Sequence, residues 1–277
     1  MHNVPSVISG RSRERPRWTN RARKTKNVAS MLSLPFYLLP HATESAAANM
    51  ADDLLMLEQF PDRAALRFRH YSWRRPAFTF GYSQPYAWAR REAGDFGVEL
   101  CRRATGGGLV DHRNDWTYSL VIPPQHELYR GPVEDVYRIV HATLGETLEA
   151  FGLPVALASP PANREGEIDS ERGFRLPGVC FDIPERADLV AAATRKKVAG
   201  AALKRNRFGL LLQGSIDRSA APTGFSWDAL RPAFAQILAT RLQVDGDCRP
   251  TDFPAGIPDP RAKMTAKFAS PEWIQRR

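Results

Sequence analysis

The sequence predicts an α/β protein of the α+β kind, with a mixed sheet rather than a doubly wound parallel one. Helical and strand-like segments interleave along the chain without a strict β-α-β rhythm. Several short segments alternate apolar and polar residues and are separated by Gly- or Pro-containing turns. The length of 277 residues, with 43% hydrophobic and 25% charged residues, suits one large domain with a real core.

Positive charge is concentrated at the N-terminus. Residues 1–30 contain eight Arg or Lys and one acid, Glu14, so they carry +7 of the total net charge of +9. We interpret residues 1–30 as a basic, disordered extension and residues 31–277 as the folded domain, with Met31 directly before the first apolar segment. A targeting peptide or a nucleic-acid-binding arm are the alternatives for such a tail.

The cysteine pattern indicates a reducing compartment. The three cysteines, Cys101, Cys180 and Cys248, are odd in number and far apart, so we expect a cytoplasmic protein without a disulfide framework. No two His or Cys residues have metal-ligand spacing, so no metal site is expected. The apolar stretch at residues 32–40 contains two prolines and is too short for a membrane span, so no membrane contact is expected.

The first half of the chain predicts one helix followed by strands. Residues 43–60, TESAAANMADDLLMLEQF, form a helical pattern with Thr43 or Ser45 as N-cap and Met50, Leu54 and Leu57 on one face. Strand patterns follow in ALRFRHYSW, PAFTFGYSQ, VELCRRATGGG and DWTYSLVIP.

The second half predicts a long helix, a polar loop, a meander and a last helix. The segment PVEDVYRIVHATLGETLEAFGL is amphipathic, and its apolar face contains Val136, Ile139, Val140, Leu144 and Leu148. Residues 159–178 are polar and rich in Pro and Gly, as in a functional flap or a disordered loop. The strands ADLVAAATRKKVAGAALKR and FGLLLQGSI follow, with a first turn near Thr194. The segment SWDALRPAFAQILATRL is the final predicted helix, and the residues after it are short and mixed in pattern.

The segment RRATGGGLVDH, Arg102 to His112, is the first candidate for chemistry. Three consecutive glycines let the backbone approach a ligand and turn N–H groups toward it, and the two arginines could pair with an anion or a carbonyl. The segment is neither a dinucleotide fingerprint nor a Walker A motif. A plain turn between strands and a structural role for His112 are the alternative interpretations.

Cys180 is the candidate nucleophile. A cysteine is often a small buried apolar residue, and an unperturbed thiol with a pKa of about 8.5 is only a few per cent thiolate at neutral pH. Lowering that pKa to about 6.5 requires roughly 2.7 kcal/mol. One ammonium at about 4 Å contributes up to about 4 kcal/mol at an effective dielectric of 20, so one well-placed lysine is sufficient. The predicted hairpin could fold a downstream lysine back onto the sulfur.

These motifs together resemble one family. The stretch RRATGGGLVDHRNDWTYSL, followed by CFDIPERADLV, KKVAGAALKR and LLQGSI, with FTFGYSQ upstream, resembles the biotin/lipoate protein ligase superfamily over residues 34–273. It looks most similar to the cysteine-type octanoyl-[acyl-carrier-protein]:protein N-octanoyltransferases. The resemblance implies a mixed, mostly antiparallel sheet flanked by helices, as in the catalytic domain of biotin and lipoate ligases.

The resemblance assigns roles residue by residue. It implies that Cys180 forms the thioester and that the family lysine is Lys197, not Lys196. It implies a substrate-binding set of Gly81, Gln84, Arg103, Thr105, Gly106, Gly107, Gly108, His112, Thr117, Tyr118, Ser119, Gly200 and Ala202. Two departures concern the fine geometry: Leu203 stands where the family often has Gln, and the turn between Cys180 and Lys197 is slightly longer than usual.

The implied activity is protein octanoyl transfer in lipoate biosynthesis. The octanoyl group would move from octanoyl-acyl-carrier protein, or another lipoyl-domain protein, to a lipoyl-domain lysine through a thioester on Cys180. The expected acceptors are 2-oxoacid dehydrogenase subunits and the glycine cleavage H protein; no nucleic-acid partner and no cofactor are expected. The first alternative is an ATP-dependent lipoate- or biotin-protein ligase, which would use ATP and Mg²⁺. The second is a non-catalytic acyl- or protein-binding module.

Overall fold

The computed structural model of the chain describes residues 34–94, 97–159, 168–169, 174–175, 184–244, 249–251 and 258–276. All of them belong to one unit of the chain, Ser33–Arg277. The strands are β1 (Phe36–Leu38), β2 (Ala42–Glu44), β3 (Leu66–Trp73), β4 (Ala77–Phe80), β5 (Glu99–Arg102), β6 (Leu109–Asp111), β7 (Asp115–Ile122), β8 (Val155–Leu157), β9 (Ile168–Asp169), β10 (Phe174–Arg175), β11 (Leu189–Ala191), β12 (Lys197–Asn206), β13 (Gly209–Asp217) and β14 (Arg249–Pro250).

The helices surround these strands. They are α1 (Ala46–Glu58), α2 (Tyr86–Ala93), α3 (Glu127–Arg130), α4 (Val133–Ala150), α5 (Trp227–Arg241), α6 (Pro258–Ala269) and α7 (Pro271–Ile274), with a 3₁₀ turn at Arg218–Ala220. In the part of the chain that the structure describes, no helix combines the length and the apolar composition needed to span a membrane.

A nine-stranded mixed sheet forms the frame of the fold. Its strand order is β14-β1-β3-β7-β13-β12-β11-β8, and β2 pairs with β3 beside β1. In this order, each pair of neighbours along β3-β7-β13-β12-β11-β8 is antiparallel. In contrast, β1 and β2 run parallel to β3, and β14 runs parallel to β1. A second sheet has the order β5-β4-β6, and β9 pairs with β10 in a third. The architecture is therefore the expected mixed, mostly antiparallel sheet flanked by helices.

The two faces of the main sheet carry different side chains because successive residues of a strand point to opposite faces. On β7, Trp116, Tyr118 and Leu120 pack into the core formed with α4 and α5. Val121 packs on the other face with α1 and α6, and Ser119 hydrogen-bonds to Asp53 of α1. This second face is more polar, and it carries the candidate site.

Most sequence-predicted elements are confirmed. Helix α1 begins after the N-cap Ser45, whose hydroxyl accepts a hydrogen bond from the Ala48 N–H, while Thr43 lies in β2. The turn near Thr194 lies between β11 and β12 as expected, and Lys197 begins β12.

Three features differ from the sequence-based expectation. Residues 159–178 are not loop throughout, because β9 and β10 form a two-stranded ladder within them. Helix α5 is not the last, since α6 and α7 follow it; their apolar residues are too few for a clear helical period, and tertiary contacts decide their conformation. Strands β4, β5 and β6 form a sheet of their own. The sequence did not predict this separation, because the pattern of a strand does not specify its partner strands.

Candidate active site

A pocket of about 440 Å³, including its open mouth, lies between the polar face of the main sheet and the three-stranded sheet. Helix α1 contributes Met50 to its wall. The lining residues are Met50, Tyr71, Thr79, Arg103, Gly107, Gly108, Val110, His112, Thr117, Gly200, Ala201, Ala202, Gln213, Gly214 and Ser215.

The glycine loop packs backbone against backbone at Gly81. A Cβ at Gly81 would lie 2.1 Å from the carbonyl oxygen of Gly107 and 2.8 Å from the carbonyl carbon of Gly106. Gly107 itself has a φ of +87°, in the region that favours glycine. Both positions therefore require glycine, for different reasons, and together they set how closely the loop approaches β4.

Arg103 holds the glycine loop in place. Its buried guanidinium donates to the Thr79 carbonyl and hydroxyl, each at 2.8 Å. It also donates to the carbonyls of Gly106 at 2.8 Å and Gly108 at 2.9 Å. These contacts join β4 to both ends of the glycine run, so the described contacts of Arg103 give it a structural role at the pocket wall.

Arg102 fastens the C-terminal segment to the same region. Its guanidinium donates to five backbone carbonyls, those of Tyr82, Gln84, Trp273, Ile274 and Arg276. Helix α7 is thereby anchored beside the glycine loop.

His112 lies between two sheets and is oriented by a carboxylate. Its Nδ1 lies 2.7 Å from Asp115 Oδ2, and its Nε2 lies 2.7 Å from the Thr79 hydroxyl. The imidazole stacks on the Trp73 indole with ring centroids 4.0 Å apart. With both nitrogens and one ring face engaged, the orientation of His112 is determined by the protein.

Asp115 and Asp53 each collect several hydrogen bonds on the polar face of the sheet. Asp115 Oδ2 also accepts from the hydroxyls of Thr117, at 2.8 Å, and Ser215. Asp53 in α1 accepts from Arg69, Tyr71, Ser119 and Gln213.

Gln213 connects α1 to the glycine loop. Its side-chain nitrogen donates to Asp53 Oδ2 at 2.6 Å, and its side-chain oxygen accepts from the Thr105 hydroxyl at 2.7 Å. Because all three side chains are buried, breaking this chain would leave polar groups unsatisfied.

Lys197 lies beside the pocket-lining Gly200 in a buried ion pair. Its Nζ is 2.7 Å from Asp188 Oδ2, and the two side chains are 4% and 7% exposed. The lysine crosses over Gly200, since a Cβ there would lie 2.7 Å from Lys197 Cε and 2.9 Å from Nζ. The neighbouring Lys196 is exposed. The two neighbouring lysines thus differ in environment, since Lys197 is buried in an ion pair and Lys196 faces solvent.

The candidate nucleophile Cys180 lies outside the described residues, so its pairing with Lys197 stays a prediction. Cys101 is buried in the core beneath α1 and α6. Burial raises the pKa of the Cys101 thiol to about 12, which is the behaviour of a structural cysteine.

The predicted substrate-binding residues fall into three groups. The pocket is lined by Arg103, Gly107, Gly108, His112, Thr117, Gly200 and Ala202. Gly81, Thr105 and Gly106 shape the loop behind the lining. Gln84, Tyr118 and Ser119 are buried but do not line the pocket: Tyr118 faces the α4/α5 core, Ser119 hydrogen-bonds to Asp53, and the Gln84 carbonyl accepts from Arg102. Leu203 also packs toward the α4/α5 core, so that departure lies on the face away from the pocket.

The sequence did not indicate several residues of the site. Five of them line the pocket through small or apolar surface or through Thr79, namely Met50, Thr79, Val110, Ala201 and Gly214. Four more have polar groups at or beside the pocket, namely Tyr71, Asp188, Gln213 and Ser215. Gln213 and Ser215 had a detectable pattern, since they are polar positions two apart in the otherwise apolar strand LLLQGSI. No sequence pattern marked Asp188, because a single acidic residue before a strand is common. Among the described residues, no group of three or more His, Cys, Asp or Glu side chains could hold a metal ion.

Comparison with known proteins agrees with this architecture. Residues 45–231 match the model of the lipoyl protein ligase A/B catalytic domain. The octanoyltransferase LipM of Carboxydothermus hydrogenoformans is 33% identical over 186 residues, covering 64% of this chain and 63% of that protein. The octanoyltransferase LipM of Kyrpidia tusciae is 27% identical over 289 residues, covering 87% of this chain and 98% of that protein.

A solved structure supports the fold. A bi-partite lipoate protein ligase from Thermoplasma acidophilum superimposes with a TM-score of 0.64 at 17% identity, covering 87% of this chain and 96% of that one. The match to the C. hydrogenoformans protein spans 63% of that relative's length. Since the family model covers most of the chain, the protein belongs to the lipoyl protein ligase A/B catalytic domain family.

Proposed function

We propose that this protein is a protein octanoyltransferase that carries the acyl group on Cys180 and transfers it to a lysine of a lipoyl domain. The observation that carries the proposal is the buried Lys197 ammonium, which lies over Gly200, a residue that lines the pocket. Relatives named octanoyltransferase support the same activity.

Asp188 explains how an ammonium can stay at this position. An isolated buried charge is costly, and a close counter-ion offsets much of that cost. The same carboxylate also weakens the field that Lys197 exerts on a nearby sulfur. A thiolate at Cys180 would therefore share the ammonium with Asp188, and backbone N–H groups near Gly200 or in the glycine loop would supplement it.

The reaction consists of two acyl exchanges. In the first, the Cys180 thiolate attacks the thioester carbonyl of octanoyl-acyl-carrier protein, a new C–S bond forms, and the carrier thiolate leaves. In the second, the neutral ε-amine of a lipoyl-domain lysine attacks the acyl-enzyme, an amide forms, the amine loses a proton, and the Cys180 thiolate is regenerated. The first exchange is nearly isoenergetic and the second is downhill, so the proposal needs neither ATP nor a metal.

The donor and acceptors belong to the proposal as well. We propose octanoyl-acyl-carrier protein, or a second octanoylated lipoyl-domain protein, as donor. The proposed acceptors are lipoyl domains of 2-oxoacid dehydrogenase subunits and the glycine cleavage H protein. The reaction is assigned to the cytoplasm because Cys180 must remain a reduced thiol.

Intact-mass analysis tests the proposal. Incubation with octanoyl-acyl-carrier protein should add one octanoyl group to the unmodified protein and none to the Cys180→Ala variant. Lys197→Met should slow this acylation by at least about 100-fold, which corresponds to losing about 2.7 kcal/mol of thiolate stabilisation. Lys196→Met is the matched control and should acylate normally, because Lys196 is exposed. An adduct that persists in Cys180→Ala would refute the mechanism.

The alternative activity is ATP-dependent ligation, which the description of the T. acidophilum neighbour suggests. Its distinguishing reaction is lipoate-dependent exchange between ATP and pyrophosphate. Measured on the same preparation, such exchange without octanoyl transfer would favour the ligase and reduce Cys180 to a bystander.

A further inference from the structure

Four residues on adjacent strands form one row along the pocket floor. Gly200 of β12 pairs with Ser215 of β13, Ser215 pairs with Thr117 of β7, and Thr117 pairs with Tyr71 of β3. Directly paired residues lie on the same face of a sheet, and all four line the pocket. The pocket lining thus extends across the strands, from Gly200 beneath Lys197 to Tyr71.

The first three positions of the row carry no large side chain of their own. Gly200 has none, and the Lys197 side chain lies over it. The hydroxyls of Ser215 and Thr117 both donate their protons to Asp115, and the Thr117 hydroxyl also accepts from the Trp73 indole N–H. What the row offers to a ligand is mainly aliphatic surface, which suits a hydrocarbon tail.

The fourth position closes the row with a large and fixed side chain. Tyr71 is 1% exposed. Its hydroxyl donates to Asp53 Oδ2 at 2.9 Å, and the guanidinium of Arg69 lies over its ring, 4.1 Å from the centroid. Held from two sides, the ring cannot turn away to admit a longer ligand without breaking both interactions.

The spacing of the row matches a medium-length acyl chain. Adjacent strands lie about 4.8 Å apart, so the distance from Gly200 to Thr117 is about 10 Å. An extended hydrocarbon chain advances about 1.25 Å per C–C bond, given tetrahedral angles and bonds of about 1.5 Å, so an octanoyl tail reaches about 9 Å from its carbonyl carbon. A carbonyl held beside Lys197 therefore places the eighth carbon at Thr117, one strand spacing before Tyr71.

We infer that Tyr71 ends the acyl pocket and limits the acyl chain to about eight carbons. This inference rests on the proposed function for the orientation of the chain, with its carbonyl near Lys197. It assigns Tyr71 a role in specificity, since its ring would meet the tail of the substrate and not its reacting carbonyl.

The test measures chain-length preference in two independent ways. Binding of free fatty acids of six to twelve carbons is followed by calorimetry, and acylation is followed by intact mass with acyl-carrier protein bearing the same chains. In the unmodified protein, affinity should rise roughly fourfold per carbon up to eight carbons and then fall. In Tyr71→Leu, the optimum should move to ten or twelve carbons, and the ratio of dodecanoyl to octanoyl use should rise at least tenfold.

Two control variants separate the acyl limit from general loosening of the core. Tyr71→Phe removes the hydroxyl but keeps the ring and should keep the eight-carbon optimum. Tyr118→Leu makes the same truncation on the adjacent strand but on the opposite face of the sheet, and should also keep it. A ratio of preferences is insensitive to the fraction of folded protein, so moderate destabilisation does not obscure the result.

Each outcome decides between the two hypotheses. The inference is overturned if the unmodified protein shows no eight-carbon optimum. It is also overturned if Tyr71→Leu leaves this optimum in place, or if Tyr118→Leu shifts it as much as Tyr71→Leu does. Fatty acids could bind with an eight-carbon optimum that Tyr71→Leu moves to longer chains, while no thioester forms. That result supports the inference and refutes the proposed transferase activity. Acylation whose chain-length preference Tyr71→Leu leaves unchanged supports the activity and refutes the role of Tyr71.

Discussion

At the scale of single residues, the ion pair of Lys197 and Asp188 affects both the stability of the fold and the proposed acyl transfer. Both side chains are buried and 2.7 Å apart. Removing one partner of such a pair leaves the other charge uncompensated, whereas replacing both by apolar residues is often neutral or stabilising. Stability and activity should therefore respond differently to single and double substitution.

We expect Asp188→Asn to lower the free energy of unfolding by about 3 kcal/mol, measured by urea denaturation. It should also slow acylation, because Lys197 loses the carboxylate that positions it. The double variant Asp188→Leu with Lys197→Met should recover most of the lost stability while staying inactive. A change in unfolding free energy below about 0.5 kcal/mol in Asp188→Asn would contradict this account of the pair.

At the scale of elements, the glycine loop is a rigid wall and not a flexible turn. Arg103 donates to the carbonyls at both ends of the glycine run, and Thr105 is connected through Gln213 to α1. Gly81 of the β4 end packs directly on the loop backbone. The wall thus depends on one close approach between two backbone segments.

Gly81→Ala should displace the loop, because its new Cβ would overlap the Gly107 carbonyl oxygen, 2.1 Å away. We expect acylation to fall by at least tenfold and the melting temperature to decrease by several degrees, consistent with overpacking of about 1–3 kcal/mol. Gly131→Ala is the control, since its nearest contacts would be 3.9 Å away, and it should change neither quantity. Normal activity in Gly81→Ala would show that the loop geometry tolerates the shift.

At the scale of the whole molecule, one partly buried histidine, His70, and one fully buried histidine, His141, make stability depend on pH. Burial is the main cause that lowers the pKa of His70 to about 4, and a hydrogen bond to the Thr117 carbonyl only partly opposes it. Burial also lowers the pKa of His141 in α4. Each imidazole is harder to protonate in the folded state than in the unfolded chain.

The sign of the effect follows from linkage. Above about pH 6.5 a histidine is neutral in both states and contributes nothing to the pH dependence. As the pH falls from about 6.5 toward 4, the unfolded chain binds the proton first, so folded stability is lost across this window. For His70 alone the loss should be about 2–3 kcal/mol. Urea denaturation from pH 7 to pH 4 should show this decline, and His70→Gln should flatten it; an unchanged slope would exclude His70 as its source.

The local pattern of apolar and polar residues predicted many of the helices and strands. The apolar face of α4, including Val136, Val140 and Leu144, is visible at helical spacing and is buried as expected. The short, mostly apolar run LLLQGSI likewise indicates β13 before any partner strand is known. The pattern could not reveal α6 and α7, nor that β4, β5 and β6 leave the main sheet, because those outcomes depend on contacts between segments far apart in sequence.

By itself the sequence determined most of the elements, the resemblance to the family and, through that resemblance, the choice of Lys197 as the family lysine, because periodicity, glycine positions and motif order are local properties. Only the tertiary structure decided that Tyr118 and Ser119 leave the pocket lining, that Asp188 pairs with Lys197, and that Tyr71 faces Gly200 across three strand spacings. The physical reason is that strand register and the choice of sheet face are set by packing between distant segments, and a shift of one residue would exchange every side chain between the core and the site.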